Sequence, residues 1–389
     1  MENNYVKGTL DNDLYKFTMQ NVACKLYPNA QVRSNFINRD GREFPEGFGK
    51  EVTRIIDTFR GFALTKEGYN FLREKCYYLN PVYLDFLKGY KFDPKEVKIE
   101  QQDAVLNCTV NGHWYRNILW EVPLMAVISQ LYFEMTGETK LNRKERKEIN
   151  HKKFTALKEL GIYIADLGTR RRYSFQNHDE VIQDLVQYVV NVLGTSNVYL
   201  AMKHDLTPIG TMAHEFIQYH AARYGFRMAN EMAMKAWSGV YQGNLGTALP
   251  DTFTTGVFYR SFNTYYAKLF DGLRNDSGDP ITFTENTIEK YKSLRIDPIT
   301  KKITFSNNIN SIDKISEIHN ACLNRIRDIY GSGTWLTNDV GVKPLNMVIK
   351  MMACFIDGQW IDTIKLSDDE SKNTGKKGMI EHCKRELIL

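Results

Sequence analysis

The chain has few cysteines, and they do not cluster. Its six cysteines are scattered over 389 residues, with no C-x-x-C pair and no tight group with histidine. Disulfide-framed secreted domains and structural zinc sites both depend on such groups. The sequence therefore predicts free thiols rather than a disulfide framework or a zinc site.

The chain also lacks a long apolar run. Residues 1–7 contain no apolar core of a signal peptide, and no window approaches the roughly 18 uncharged apolar residues of a membrane span. We therefore expect no membrane association and a cytoplasmic location.

Charge of one sign is not in large excess. The net charge is +5, and the pI is near 8.6. This balance falls short of that of a nucleic-acid-binding domain and mildly favours small anionic ligands such as phosphorylated metabolites. Internal repeats and low-complexity segments are missing too, so most of the chain should pack as an ordinary folded protein.

Short β-rich segments alternate with helical ones from residue 162 onward, a pattern typical of parallel strands joined by crossover helices. Such units build either a barrel or a doubly wound sheet, and polar residues at the predicted strand ends favour the barrel. The predicted strands are 162–167, 207–211, 246–251, 273–276, 303–306, 333–336 and 347–354, and the predicted helices are 216–240, 287–294 and 312–329.

The first ~120 residues differ from this pattern. An alternating strand is predicted at 31–38 and an aromatic-rich helical region at 62–87. We therefore predict three parts: an N-terminal α/β lobe, an α/β barrel that carries the active site, and a C-terminal segment that returns to the lobe. Their ranges are 1–120, 121–355 and 356–389.

Two charged stretches receive structural interpretations. The strongly basic run 140–153 is typical of a helix with a solvated face, with a binding patch as the alternative. The stretch 367–378 contains small and charged residues, which indicates a mobile loop before a short terminal helix.

The segment 274–280 combines a guanidinium, two carboxylates and a glycine turn after a predicted strand. Asp276 can accept hydrogen bonds from both hydroxyls of a ribose, and Arg274 can hold a phosphate through its planar fork of donors. The alternative is a plain turn in which Asp279 and Pro280 open the next helix.

Three small polar turns could cradle phosphates. Ser306–Asn308 and Gly331–Gly333 end predicted strand regions, and 194–197 leads into a short helix. Exposed backbone N–H groups at such turns bind anions. Taken alone, each turn is more often an ordinary loop than a phosphate cradle.

One histidine stands out among eight. His214 follows the predicted strand 207–211 at the start of a helix, where the helix dipole would stabilise a phosphoryl group on the imidazole. This makes His214 a candidate nucleophile. Asp251 ends the next predicted strand and could accept a hydrogen bond from the other ring nitrogen, which would fix the tautomer. We interpret the other histidines as structural.

An arginine triplet and an early tyrosine offer further candidates. Residues 169–172 directly follow a predicted strand, so at least one arginine should face the barrel mouth and bind an anion. Surface charge is the alternative. Tyr15 lies on an amphipathic segment, where its ring either joins the core or stacks on a flat heteroaromatic ligand.

Taken together, these segments resemble the nicotinate phosphoribosyltransferase family from residue 10 to about residue 376. That resemblance implies a type II phosphoribosyltransferase fold, with an irregular α/β barrel and an N-terminal α/β lobe. The matching stretches are Asp11–Met19, Gly194–Asn197, Gly210–Glu215, Gly272–Pro280, Phe305–Asn308, Gly331–Thr334, Val342–Lys350 and Lys365–Asp368.

The resemblance also implies an activity. The enzyme would join nicotinate to phosphoribosyl pyrophosphate, releasing nicotinate mononucleotide and pyrophosphate in the salvage route to NAD. ATP hydrolysis would be coupled through a phosphohistidine at His214, and Mg²⁺ would be carried by the phosphates without direct protein ligands.

Site residues follow from the same resemblance. The catalytic residues would be His214, Asp251, Arg274 and Asp276. The substrate-binding residues would be Tyr15, Leu167, Arg170, Ser196, Ser306, Asn308, Gly331 and Gly333.

Two positions depart from relatives, and one bears on the substrate. Leu167 stands where relatives often have phenylalanine, and Asn307 where they often have aspartate, so the stacking partner and the role of Asn307 are open. Ser196 occupies the position at which nicotinamide-using relatives have an aspartate, which would repel the carboxylate of nicotinate.

Three other functions are alternatives to nicotinate transfer. The nicotinamide-specific enzyme is opposed by Ser196, and the decarboxylating quinolinate enzyme by the His214 segment, because quinolinate chemistry uses no ATP. A third alternative is not an enzyme: a basic RNA-binding protein built on a catalytically inactive barrel. The expected partners are small molecules alone, without nucleic acid or membrane, and related barrels often pair as homodimers.

Overall fold

The computed structural model describes residues 4–189 and 191–389, and the chain divides into two compact units. Unit 1 comprises residues up to 29, 33–210 and 332–350, whereas unit 2 comprises 30–32, 211–331 and 351–389. The three-part division expected from the sequence follows other boundaries and stays a prediction.

The strands of the described residues follow one another along the chain. They are β1 (Gln31–Asn38), β2 (Val97–Gln102), β3 (Val105–His113), β4 (Ile164–Asp166), β5 (Val192–Thr195), β6 (Thr247–Ala248), β7 (Gly272–Asn275), β8 (Lys302–Phe305), β9 (Arg327–Ser332), β10 (Met347–Ile356) and β11 (Gln359–Asp362).

The helices are interspersed among these strands. They are α1 (Leu14–Leu26), α2 (Phe48–Asp57), α3 (Lys66–Lys75), α4 (Pro81–Gly89), α5 (Trp114–Asn117), α6 (Glu121–Thr136), α7 (Arg143–Leu160), α8 (Phe175–Tyr188), α9 (Val198–Lys203), α10 (His214–Tyr224), α11 (Ala229–Tyr241), α12 (Thr255–Ser261), α13 (Thr264–Leu269), α14 (Pro280–Ser293), α15 (Ile312–Cys322), α16 (Thr334–Thr337) and α17 (Lys377–Leu387).

Unit 2 is organised by parallel strands with helical crossovers. Strands β6, β7, β8 and β9 pair in parallel in chain order, with α14 and α15 between the last three. Buried Ile303 and Phe305 alternate with partly exposed residues along β8, and Leu273 of β7 is also buried. Because the strands run in parallel, their carboxyl ends meet at one edge, and Asp276 and Ser306 follow those ends.

Unit 1 contains both kinds of strand pairing. Strands β2 and β3 are antiparallel, whereas β4 and β5 are parallel. Gly194 on β5 has φ +143°, and a Cβ there would lie 1.9 Å from the carbonyl oxygen of Thr207. Only glycine fits that position. The predicted strand 207–211 is reduced to a parallel bridge between Thr195 and Pro208.

Several predicted elements were wrong in type or extent. The predicted strand 333–336 is helix α16, and the true strand, β9, lies just before it. The predicted helix 312–329 ends at Cys322, and the predicted helix 216–240 is divided at Gly225 into α10 and α11. Strand β10 exists as predicted but pairs antiparallel with β11. Gly225 has φ +82°, which ends α10 and divides the longer predicted helix.

The basic helix α7 has the predicted solvated face, with Lys144, Lys147 and Lys152 exposed, but two of its cations are buried. Arg146 and Lys153 are 4% and 7% exposed. Arg146 forms an ion pair with Glu180 at 2.7 Å, and Lys153 forms one with Asp339 at 2.8 Å. Buried cations need such partners, and sequence alone does not show where the partners lie.

One apolar stretch corrects the expectation that no segment approaches a membrane span. The helical region 114–136 is long and apolar enough for one by length and composition, but 89% of its apolar window is buried inside the structure. The core helix of a folded unit has the same composition.

All six cysteines are free thiols.

Candidate active site

His214 lies at the centre of a polar cluster in unit 2. It begins α10, and its imidazole is buried. Its Nδ1 is 2.9 Å from the hydroxyl of Thr252, and its Nε2 is 3.0 Å from Oδ2 of Asp276. Burial and then the charge of Lys365 lower the pKa of His214 to about 4. The ring is therefore neutral near pH 7.

Asp276 is held as a carboxylate by its neighbours. Arg274 pairs with its Oδ1 at 3.1 Å, and Ser306 donates to the same oxygen at 2.8 Å. Burial works to raise the pKa of Asp276, but the charge of Arg274 and the hydrogen bond from His214 hold it well below its ordinary value. The predicted convergence of Arg274, Asp276, Ser306 and His214 is therefore present within unit 2.

Asp251 does not make the contact expected from the sequence. Its Oδ1 is 3.9 Å from Nε2 of His214, too far for a hydrogen bond. Ser277 donates to Oδ2 at 2.6 Å, and Lys365 does so at 3.4 Å. Thr252, the next residue along the chain, approaches Nδ1 instead. The hydrogen bond expected between the ring of His214 and Asp251 is therefore not made.

The turn after β8 is tied to a second lysine. Asn307 donates to the carbonyl of Gly278 at 2.9 Å and accepts from Nζ of Lys372 at 2.7 Å. Lys372 also donates to the backbone carbonyl of Asp276 at 3.1 Å. Asn308 has φ +52° and is exposed at the turn. The amide of Asn307 thus bridges two loops, a role that remained open in the sequence.

The stretch 367–378, interpreted as a mobile loop, makes specific contacts. Asp368 accepts from the backbone N–H of Thr255 at 2.9 Å, and Asn373 accepts from the N–H of Ser367 at 2.8 Å. The terminal helix predicted after it is α17. The composition of a segment does not show which of its side chains accept hydrogen bonds from backbone N–H groups.

Unit 1 holds a separate cluster around Tyr15. The guanidinium of Arg170 lies 5.9 Å from the ring centroid of Tyr15 and pairs with Glu121 at 3.2 Å. Lys16 pairs with the other oxygen of Glu121 and lies 5.2 Å from the same ring. Burial works to raise the pKa of Glu121, but the charges of Lys16, Arg170 and Lys350 lower it.

Ser196 is buried against an acidic partner in unit 1. Its hydroxyl donates to Oδ1 of Asp13 at 2.8 Å, and its carbonyl accepts from the N–H of Leu14 at 2.7 Å. Burial raises the pKa of Asp13. Leu167 is partly exposed at the end of β4, with its N–H bonded to the carbonyl of Ser332.

The three arginines at 170–172 have different environments. Arg172 is fully buried and makes two parallel hydrogen bonds of 2.8 Å to Asp11, so it serves the structure. Arg170 and Arg171 are partly exposed. Burial, followed by the charges of Arg170 and Arg39, lowers the pKa of Arg171 to about 10. Mutually repelling guanidiniums favour an anion nearby.

The two glycines of the predicted phosphate cradle lie in different units. Gly331 is buried in β9 of unit 2. Gly333, in unit 1, precedes α16, and a Cβ there would lie 3.6 Å from the carbonyl oxygen of Leu167.

Sequence reasoning missed several residues of these clusters: Asp13, Arg39, Glu121, Thr252, Lys365 and Lys372. A signal existed for Asp13 and Lys365, which lie in family-like stretches, and for Thr252, which adjoins Asp251. Nothing in the local sequence singles out Glu121 or Lys372.

One group in unit 2 has metal-like spacing. One ligand atom from each of His214, Asp251 and Asp276 lies within 4.8 Å of the others. However, Arg274 and Lys365 already neutralise the two carboxylates. Magnesium prefers oxygen ligands and retained water. The group is therefore a poor direct cage for Mg²⁺.

Comparisons with known proteins identify relatives along nearly the whole chain. The nicotinate phosphoribosyltransferase (NAPRTase) N-terminal domain matches residues 10–129, and the nicotinate phosphoribosyltransferase family matches residues 162–387. The nicotinate phosphoribosyltransferase of Desulforapulum autotrophicum is 50% identical over 385 residues, covering 98% of this chain and 99% of the relative. That of Methanococcoides burtonii is 40% identical, covering 96% and 95%.

Solved structures agree with these matches. The crystal structure of nicotinate phosphoribosyltransferase from Porphyromonas gingivalis has a TM-score of 0.96 at 41% identity, covering 99% of this chain and 100% of that one. The Vibrio cholerae enzyme has a TM-score of 0.93 at 28% identity, covering 99% and 94%. The predicted α/β fold of type II phosphoribosyltransferases is thereby confirmed. The chain therefore belongs to the nicotinate phosphoribosyltransferase family, enzymes of pyridine nucleotide biosynthesis that join nicotinate to phosphoribosyl pyrophosphate.

Proposed function

We propose that this enzyme couples nicotinate mononucleotide formation to ATP hydrolysis through a phosphohistidine at His214. The observation that carries the proposal is the buried, neutral imidazole at the first residue of α10, with Nε2 directed at Asp276. Neutral imidazole is the nucleophilic form, and the free N–H groups of a helix N-terminus stabilise a phosphoryl group.

Residues of unit 2 would handle the sugar and the phosphates. Displacement of pyrophosphate from C1 builds positive charge on the ribose, so the site must hold the hydroxyls and neutralise the leaving group. Asp276 would accept from the ribose hydroxyls, and Arg274 would hold phosphate oxygens. Ser306, Asn308 and Gly331 would supply the surrounding donors.

Residues of unit 1 would recognise nicotinate. The ring of Tyr15 would stack on the pyridine, and Arg170 would pair with its carboxylate. Leu167 would supply an aliphatic contact, Ser196 would leave room for a carboxylate, and Gly333 would complete the turn beside Leu167. Because the pyridine nitrogen is already a nucleophile, the reaction needs positioning more than a general base.

Further parts of the proposal concern Mg²⁺, location and assembly. Mg²⁺ would enter with the phosphates and neutralise their charge, because the unit 2 carboxylates are already paired. A cytoplasmic location is supported by the six free thiols. We also propose a homodimer without nucleic-acid or membrane partners, as expected from related barrels.

The phosphohistidine is tested with γ-labelled ATP. Wild-type protein should acquire an acid-labile phosphate, and His214→Asn should acquire none. His220→Asn is the matched control, because His220 lies on the same helix, is also buried and bonds through its ring to the carbonyl of Phe216. Label that persists in His214→Asn would remove this residue from the mechanism.

A further inference from the structure

The contact between Thr252 and His214 determines which ring nitrogen carries the proton. Thr252 is fully buried, and its hydroxyl oxygen is 2.9 Å from Nδ1. In a triad a carboxylate occupies this place and accepts from the ring. A threonine hydroxyl can donate as well as accept, so its direction must be deduced from its surroundings.

The first deduction comes from the other side of the ring. Nε2 is 3.0 Å from Oδ2 of Asp276, whose second oxygen already accepts from Arg274 and Ser306. An ionised carboxylate can only accept. The hydrogen between these atoms therefore belongs to Nε2.

The second deduction comes from Thr252 itself. Among the described residues, the hydroxyl has no hydrogen-bond partner other than Nδ1 of His214. If it accepted from Nδ1, its own hydrogen would be buried without an acceptor, which is costly. The hydroxyl therefore donates, and Nδ1 presents its lone pair.

We infer that Thr252 is a positioning residue, which donates its hydroxyl hydrogen to Nδ1 and fixes His214 as the neutral tautomer protonated at Nε2. The two deductions use different groups and reach the same tautomer. Lys365, 3.4 Å from Asp251, adds positive charge that disfavours a second proton on the ring.

The consequence for phosphoryl transfer rests on the proposed function. In this tautomer Nε2 cannot attack while it carries its hydrogen, so the proton on Nε2 must first pass to Oδ2 of Asp276, which acts as a general base. Nε2 then attacks the γ-phosphorus of the nucleoside triphosphate, an N–P bond forms, the bond to the β–γ bridging oxygen breaks, and the diphosphate leaves. Thr252 continues to donate to Nδ1, so the phosphorylated ring stays neutral. Protonation at Nδ1 would make the ring a better leaving group and shorten the life of the phosphohistidine.

The tautomer is measurable without any nucleotide, by ¹⁵N NMR of the full-length protein labelled at histidine. The signals of His214 are those missing from His214→Asn. Nε2 should appear protonated and Nδ1 unprotonated, whereas a protonated Nδ1 would overturn the inference. Thr252→Val should move the Nδ1 signal further downfield because a donor is lost, and Thr252→Ser should leave it in place. An unmoved signal in folded Thr252→Val would also overturn it.

A second measurement follows the decay of the phosphohistidine. Thr252→Val should shorten its lifetime about tenfold, and Thr252→Ser should stay close to wild type. If Thr252→Val fails to fold, the wild-type spectrum and the serine variant still test the assigned tautomer of His214. A wild-type protein without label, but with the predicted spectrum, would refute the phosphohistidine and support the tautomer assignment.

Discussion

The two clusters place charge in different ways. In unit 1, Glu121 is shared by Lys16 and Arg170, so permanent charges compensate one another. In unit 2, a neutral imidazole stands between a hydroxyl and a paired carboxylate. The first arrangement suits recognition of a fixed anion such as a carboxylate, whereas the second suits a group that must change its bonding during turnover.

The largest expected effect comes from unit 2. Asp276→Asn removes the carboxylate that holds both His214 and Arg274, so kcat/KM should fall on the order of a thousandfold. The release of pyrophosphate measures it. Asp279→Asn is the control, because Asp279 caps α14 by accepting from the backbone N–H of Thr282. Equal losses in the two variants would contradict the assigned role.

A smaller and more selective effect is expected in unit 1. Arg170→Ala should raise the KM for nicotinate about a hundredfold, because a paired carboxylate contact is lost, while the KM for phosphoribosyl pyrophosphate changes little. Glu121 keeps Lys16 as a partner in this variant. Initial-rate kinetics with each substrate varied separately distinguish the two constants. A change confined to the KM for phosphoribosyl pyrophosphate would contradict the assignment of Arg170 to nicotinate binding.

Substrate choice should respond to Ser196→Asp. Ser196 donates to Asp13 at 2.8 Å, so the variant would place two buried carboxylates together and repel nicotinate. Nicotinate use should fall about tenfold. Ser196→Ala, which adds no charge, is the control. Unchanged nicotinate kinetics in the aspartate variant would refute this explanation.

The last expected effect concerns stability and pH rather than catalysis. Because the pKa of His214 falls from 6.5 to about 4 on folding, the unfolded chain binds an extra proton between these values, and stability is lost as pH falls through that window. Glu121 has a lowered pKa, so its contribution is lost only below 4.5, the ordinary value.

Denaturant titrations between pH 6.5 and 4.5 measure this difference. His214→Asn should reduce the pH slope of the unfolding free energy by about 1.4 kcal/mol per pH unit. Glu121→Gln should leave the slope in that range unchanged. An unchanged pH slope in His214→Asn, together with a reduced slope in Glu121→Gln, would contradict this explanation.

Local signals predicted much of unit 2. The strand–turn–helix pattern around Arg274 and Asp276 and the helix that begins at His214 are present as expected, because turn residues and apolar alternation act over a few residues. The predicted strand 333–336 was wrong because a segment of four residues is too short to show either the strand or the helix period. Site roles stay predictions even where the geometry brings the residues together.

The sequence by itself determined the family, the α/β class and the histidine that begins α10, because each depends on motifs or on local periodicity. Only the tertiary structure decided that Thr252, rather than Asp251, bonds Nδ1, and that Glu121 lies between Lys16 and Arg170. These pairings join residues distant in the chain. Their partners are selected by packing and by the cost of burying an unmatched polar group, which no local pattern records.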